Sequence, residues 1–200
     1  MGAIVHGIVL AFGLILPLGV QNVFVFSQGV TQPKLRRALP AALTASLCDT
    51  LLIVSAIWGL SAILFQIEWL RTGVMAVGIL FLIYMGFAIW RAEPTALETK
   101  KAMTTRQQIA FALSVSLLNP HAILDTVGVI GTSALKYTGT QQIYFAAATI
   151  TVSWLWFIAL AIAGSMIRRL EHSGTVTNIL NKCSALFIWG TGVYLILELF

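Results

Sequence analysis

Six stretches of this sequence run for about 20 residues each with almost no charge, the length an α-helix needs to cross the hydrocarbon of a bilayer. They are Ile4 to Phe26, Ala41 to Phe65, Leu70 to Trp90, Ile109 to Leu135, Tyr144 to Ile167 and Cys183 to Leu199. The rest of the composition agrees. The chain is 58% hydrophobic and only 10% charged, whereas an ordinary soluble domain carries about 25% charged residues. Solvation by lipid accounts for so much apolar surface, and the bilayer is the first partner implied. A net charge of +5 would suggest nucleic acid only if the basic residues formed a patch on a soluble fold. They fall instead in short loops, so no nucleic-acid partner is expected. Residues Met1 to His6 hold no basic run and no cleavage pattern follows, so no cleaved leader is expected either.

The loops set the orientation. Lys34, Arg36 and Arg37 lie between spans 1 and 2. Arg91, Lys100, Lys101 and Arg106 lie between spans 3 and 4, and Arg168, Arg169 and Lys182 between spans 5 and 6. Ten of the twelve basic residues thus fall on one side, leaving Arg71 and Lys136 for the other. The positive-inside rule puts the three basic loops in the cytoplasm and both termini outside. Trp69 and Trp90 bracket span 3 as interfacial anchors. Pro40 is read as the first helical position of span 2. Small residues recur at four-residue spacing, as in Gly7 and Ala11, Ala41 and Ala45, and Ala159 and Ala163, and would let helices approach closely. Cys48 and Cys183 fall inside spans as small apolar residues, with no disulfide or metal spacing.

Spans 1 and 4 are interrupted, at Pro17 and Gly19 in Leu16-Pro17-Leu18-Gly19-Val20-Gln21-Asn22, and at Asn119-Pro120 in Leu118-Asn119-Pro120-His121. A proline inside a helix leaves a carbonyl one turn back without its donor: Gly13 for Pro17, Ser116 for Pro120. In hydrocarbon such a break survives only when buried in protein or lining a polar cavity. The two breaks match. An offset of 103 to 104 residues brings Pro17 onto Pro120, Asn22 onto Asp125, Asp49 onto Ser153 and Gly86 onto Gly190. Three spans per half force the second half to enter from the opposite face. The expected fold is an all-α integral membrane protein, one transmembrane domain over 1–200. It comprises six transmembrane helices as two inverted three-helix repeats, about 1–90 and 109–200, joined by a cytoplasmic linker over 91–108. The site falls where the broken helices meet.

Two carboxylates, Asp49 and Asp125, lie deep in the spans. Each costs about 3 kcal/mol at the bilayer centre and should face the bundle interior. Ser46, Asp49 and Thr50 share a helical face, and His121, Asp125, Gly128 and Thr132 form a polar stripe at α-helical spacing. No Lys or Arg lies at membrane depth to pair with either acid. The partner is then a proton or a cation from outside, unless each acid merely bonds a Ser or Thr of a neighbouring helix. His121 beside its break has three readings: substrate ligand, proton shuttle, or donor to freed carbonyls. Gln21 and Asn22 suit the amino and carboxylate groups of an amino acid, or patch the broken helix. His6 and His172 read as interfacial.

Gly19-Val20-Gln21-Asn22-Val23-Phe24-Val25 with Gln28-Gly29 resembles the first-helix motif of the LysE-type basic amino acid exporters. Asn119-Pro120-His121 with Leu124-Asp125-Thr126 is similar to that family's fourth-helix signature, and Asp49 matches its second-helix acid. Related homoserine and threonine exporters carry Pro-Gly-Pro and Asn-Pro-Lys in these places, which favours the lysine/arginine branch here, although Pro17 departs from that branch's usual first helix. The resemblance implies export of L-lysine or L-arginine across a bacterial inner membrane, driven by the proton gradient or membrane potential. Asp49 and Asp125 would neutralise the substrate's side-chain cation, Gln21, Asn22 and Asn119 would hold its amino-acid end, and Asp49, Asp125 and His121 are the candidates for proton coupling. Six helices can form the pathway alone or as a homodimer. A divalent cation exporter is the alternative, although two Asp plus amides are few ligands for a hard metal ion. A membrane-embedded enzyme, with Asp49, His121 and Ser153 as acid–base groups, is the weaker rival. No nucleophile elbow, zinc-ligand helix or phosphate loop occurs, so no enzymatic activity and no cofactor is expected.

Overall fold

The computed structural model describes residues 2–16, 19–59, 102–119, 122–123 and 125–170, with isolated positions in 76–91 and 182–197. Among them every regular element is helical. These are α1 (Gly2–Ile15), α2 (Val20–Thr31), α3 (Leu35–Ile57), α4 (Thr105–Leu117), a π-helical segment (Asp125–Gly131), the short α5 (Thr132–Ala134) and α6 (Thr140–Leu170). Leu35–Ile57 and Thr140–Arg168 are long and apolar enough to cross a membrane. The pair Gly2–Ile15 and Val20–Thr31, bent by 78° at their junction, makes a third such span if taken together. Spans 3 and 6 lie largely outside the described residues, and with them Trp69, Cys183 and His172. Where positions of both are described, Trp189 meets Phe87 edge to face and Trp90 at a tilt, with ring centroids 5.0 and 5.5 Å apart.

The first interruption falls where the sequence places it: α1 stops at Ile15 and α2 restarts after Gly19, whose extended backbone (φ −69°, ψ 171°) makes it the N-cap. The second follows Leu117, and the carbonyl of Asn119 accepts the amide of Ile123 at 3.2 Å. Asn119 therefore stands where an N-cap stands. Past this break the chain departs from expectation. Asp125–Gly131 is wound as a π-helix, so Asp125, Gly128 and Thr132 do not follow the α-helical spacing read from the sequence, and His121 lies outside the described residues. An i→i+5 turn widens the helix and re-aims its side chains.

Element boundaries also differ, three of them with a local cause. Pro40 is not the first residue of its helix but lies inside α3, which begins after Lys34. The carbonyl four residues back belongs to Arg36, an exposed residue, where solvent can take the place of the lost donor. At the other end α3 stops at Ile57, short of Phe65, because Gly59 takes a left-handed φ of 88° that glycine adopts without strain. Helix α4 starts at Thr105, inside the expected linker. There Thr104 and Gln107 form a reciprocal capping box, with Thr104 N to Gln107 Oε1 at 2.9 Å and Gln107 N to Thr104 Oγ1 at 3.3 Å.

Helix α6 is the spine against which α1, α2 and α3 all pack. It runs antiparallel to α3, because Gln142 near its start donates to the carbonyl of Ile57 at the end of α3 (3.5 Å). Glycine makes the tightest crossing: a Cβ on Gly29 would stand 2.5 Å from the Ala161 carbonyl oxygen, and one on Gly164 would strike the carbonyl of Phe26. Of the small-residue pairs read from the sequence, Gly7–Ala11 and Ala41–Ala45 are buried, whereas Ala159 is exposed. The interior divides into two apolar clusters. One joins Phe24, Val25, Ala41, Ala45, Phe157 and Ala161; the other joins Ala3, Ile53, Ile57, Ile130, Phe145 and Ala146. Between the two clusters each helix carries polar side chains among its apolar ones: Asp49 on α3, Ser153 on α6.

Candidate functional site

The restart of α2 puts Gln21 and Asn22 in its first turn, and both are buried. Their side chains part. Gln21 reaches α3, where Nε2 donates to Asp49 Oδ1 at 3.1 Å and to the Ala45 carbonyl at 3.4 Å. Asn22 turns back over the break, with Nδ2 donating to the Ile15 carbonyl at 2.7 Å and Oδ1 accepting from Trp156 Nε1 of α6 at 3.3 Å. Of the two uses the sequence allows for Asn22, repair of the broken helix is the one seen in this conformation.

Asp49 is held from a second side, since Ser153 Oγ of α6 donates to Oδ2 at 2.8 Å. Each carboxylate oxygen thus takes one hydrogen bond from a neutral donor, each donor comes from a different helix, and lone pairs remain for a further partner. The other polar residues on this face of α3 behave differently. Ser46 Oγ donates to the Ala42 carbonyl at 2.9 Å and Thr50 Oγ1 to the Ser46 carbonyl at 2.8 Å, both within their own helix. Thr50 Oγ1 in turn accepts Trp154 Nε1 at 3.0 Å. Asn119 is buried at the end of α4. Asp125 opens the π-helical segment and only its backbone is described; Pro17, Pro120 and His121 lie outside the described residues. The structure brings Gln21 and Asp49 together.

Trp154 and Trp156 carry no site signal in the sequence, because a tryptophan in an apolar run reads as ordinary, and Ser153 enters it as an acid–base candidate of the enzyme rival, not as part of a transport site. One signal did exist for Ser153, the offset that lays it on Asp49. Cys48 is buried, as its apolar reading requires, and His6 accepts or donates at Tyr137 Oη, 2.9 Å away, at the end of the bundle. Among the described residues no group of three His, Cys, Asp or Glu could hold a metal ion.

A half-buried carboxylate held, among the described residues, by neutral donors alone, beside a broken helix and between helices able to cross a bilayer, marks a membrane transport protein. The chain belongs to the LysE type translocator family, whose model matches residues 12–199. It is 55% identical over 201 residues to the "Putative amino-acid transporter YisU" of Bacillus subtilis, covering 100% of this chain and 91% of that one. It is 33% identical over 198 residues to the arginine exporter protein ArgO of Pectobacterium carotovorum, covering 95% of this chain and 94% of that one. The ArgO protein of an Enterobacter strain is 35% identical over 189 residues, with 92% and 88% covered. No solved structure matches the chain. As a member of a translocator family it is a transporter and not an enzyme.

Proposed function

We propose that this protein exports basic amino acids, L-arginine or L-lysine, across the bacterial inner membrane by alternating access. The observation that carries the reading is Asp49. Among the described residues no Lys or Arg reaches this carboxylate, and its two hydrogen bonds come from Gln21 and Ser153, which bring no charge. A guanidinium or ammonium group supplies what is missing. The α-carboxylate of the same substrate suits the start of α2, whose N-terminus has no side-chain cap and presents backbone N–H groups with the positive end of the helix dipole. Gln21, Asn22 and Asn119 then hold the amino-acid end, and Asp125 and His121 belong to the same pathway from the second broken helix. A proton taking the substrate's place on an aspartate couples the return step to the proton gradient, with the membrane potential as a further driving force on a cationic cargo. Arginine export by ArgO relatives supports this substrate class.

Alternating access is read from two inverted repeats of three spans, six in all. Two contacts support that architecture. Ser153 bonds Asp49 and Trp154 bonds Thr50, and each pair is separated by 104 residues, the offset at which the halves of the sequence superpose. Residues exchanged by a two-fold axis can touch only beside that axis, so α3 and α6 would cross on it at Asp49. The same offset relates Gly86 to Gly190, and Gly86 is pressed against the indole of neighbouring Trp189. The orientation with both termini outside is supported by the gathering of Lys34, Arg36, Arg37, Arg106 and Arg168 at one end of the bundle. There Arg168 Nη1 donates to the Gln32 carbonyl at 2.7 Å and Gln108 Nε2 to the Arg37 carbonyl at 2.9 Å; Lys136 lies at the opposite end, beside Tyr137.

Counterflow into proteoliposomes with labelled arginine, lysine, leucine and Mn²⁺ tests the proposal. Uptake of arginine or lysine against an internal pool of the same amino acid, with none of leucine or metal, is expected. Exchange of leucine or of Mn²⁺ without either basic amino acid would overturn it.

A further inference from the structure

A second polar feature lies away from Asp49, at the basic end. A cleft of about 620 Å³ opens between the α2–α3 connection and the last turns of α6, lined by Pro33, Lys34, Leu35, Ile162, Met166 and Arg168, with Ser165. Its chemistry is graded with depth. Ile162 and Met166, one turn apart on one face of α6, are 41% and 60% exposed, as side chains facing lipid are. Arg168 follows about 9 Å above Ile162 at 1.5 Å rise per residue, at the end of the stretch long and apolar enough to cross a membrane, and Lys34 stands exposed across the cleft. Arg168 spends one N–H on the Gln32 carbonyl, leaving the rest of its donor fork for an anion. No described acidic side chain lines the cleft.

We infer that this cleft binds the phosphodiester headgroup of an anionic membrane phospholipid, with Lys34 and Arg168 on the phosphate and an acyl chain along Leu35, Ile162 and Met166. The two cations set the sign of the ligand and exclude the basic amino acid itself. The aliphatic floor, continuous with lipid-facing surface, selects a lipid over a free phosphate, since a soluble anion gains nothing from Ile162 and Met166. Basic pockets between spans at the cytoplasmic face are suited to such headgroups. A bound lipid would staple the α2–α3 connection to α6 on the side where Gly29 and Gly164 already hold those helices together. The inference does not depend on which substrate is carried.

Native mass spectrometry of the full chain, released from micelles doped with phosphatidylglycerol or phosphatidylcholine, tests it. Wild type should retain one phosphatidylglycerol at least about tenfold more tightly than phosphatidylcholine, about 1.4 kcal/mol. Lys34→Gln combined with Arg168→Gln should abolish the preference. Lys34→Gln alone, which leaves the Arg168–Gln32 bond intact, should weaken it if the double variant does not fold. Lys136→Gln, at the opposite end, should leave it unchanged. A diazirine on the phosphatidylglycerol acyl chain should label the peptide containing Ile162 and Met166. Equal retention of both lipids by wild type, or an undiminished preference in Lys34→Gln, would overturn the site. Displacement by glycerol 1-phosphate as effective as by the lipid would overturn the lipid assignment in favour of a soluble phosphate ester.

Discussion

Two polar layers cross this bundle, and they are built on opposite principles. At mid-height Gln21, Asp49 and Ser153 bond side chain to side chain across α2, α3 and α6. At the basic end Gln28, Gln32 and Gln108 are buried; the Gln28 amide bonds side chains, Met103 Sδ at 3.4 Å and Gln32 Nε2 at 3.2 Å, whereas those of Gln32 and Gln108 reach backbone. Gln32 Nε2 donates to the Met103 carbonyl at 2.8 Å, and Gln108 Nε2 to the Arg37 and Met103 carbonyls at 2.9 and 3.1 Å. Buried carbonyls at the ends of helices need donors, and neutral amides supply them at no charge cost. The lower layer is a clamp that ties the chain before α4 to α2 and α3. The middle layer keeps a half-buried ionisable group between helices and, among the described residues, gives it no counter-charge, which stability alone does not require. Burial and hydrogen bonding are shared by both layers; what separates them is whether the group being satisfied belongs to the backbone or could serve a visitor.

The largest effect should come from Asp49→Asn, which keeps shape and neighbours but removes the charge. With hydrogen bonds to a charged group worth about 1.5–3 kcal/mol, proteoliposome transport should fall by roughly one to two decades, while thermal unfolding in detergent shifts little. Wild-type transport by a folded, inserted Asp49→Asn protein would erase the distinction between the layers. Next in size is a change that touches neither layer. Gly164→Ala drives a methyl into the Phe26 carbonyl, and overpacking of this kind costs about 1–3 kcal/mol, read as a lower unfolding midpoint. The comparison is sharpened by pairing glutamines. Gln32→Leu should cost about 1 kcal/mol of stability and leave turnover per folded molecule intact. Gln21→Leu should do the reverse, lowering turnover by about tenfold, roughly 1.4 kcal/mol, at nearly unchanged stability. Equal behaviour of the two variants would show that both layers are clamps.

Much of the middle layer was legible in the sequence, and almost none of the lower one. A carboxylate in an apolar run stands out because its burial is expensive, and a proline in a span stands out because it removes a donor. Asp49 and the break after Ile15 could therefore be located without coordinates. As a partner of Asp49, Ser153 was reachable through the repeat offset; its other mention, as an acid–base group of an enzyme, pointed to the wrong chemistry. Gln28 drew attention only as part of a family motif, and Gln32 and Gln108 drew none, because glutamines next to basic loops look solvated. Their burial depends on how the chain before α4 folds back onto α2, a long-range fact with no local pattern. The winding of Asp125–Gly131 was equally hidden. An α- and a π-turn differ in which carbonyl a given N–H finds, and here α3, packed against that segment, takes part in the choice. Pro40 misled for a related reason: a proline signals a helix start only when the residues before it are not helical already.

The smallest effect bears on the proposed two-fold axis. If α3 and α6 cross on that axis, Thr50 and Trp154 are exchanged by it, and their bond of 3.0 Å sits at the pivot about which the halves would rock. Thr50→Val and Trp154→Phe each remove one partner while keeping most of the volume, so a double-mutant cycle isolates the bond from the packing. Hydrogen bonds between transmembrane helices are worth about 0.6 kcal/mol on average, and a coupling of that size is expected in unfolding. The informative measurement is the same cycle run on transport. A static clamp couples the two residues in stability alone. A contact at a pivot persists in both inward- and outward-open states, so its loss should leave the rate of exchange as insensitive as that bond's small energy implies. A coupling in transport several times the coupling in stability would mean that the bond is made in one state and broken in the other. The axis would then have to lie elsewhere, and Asp49 would no longer be the fixed point between the repeats.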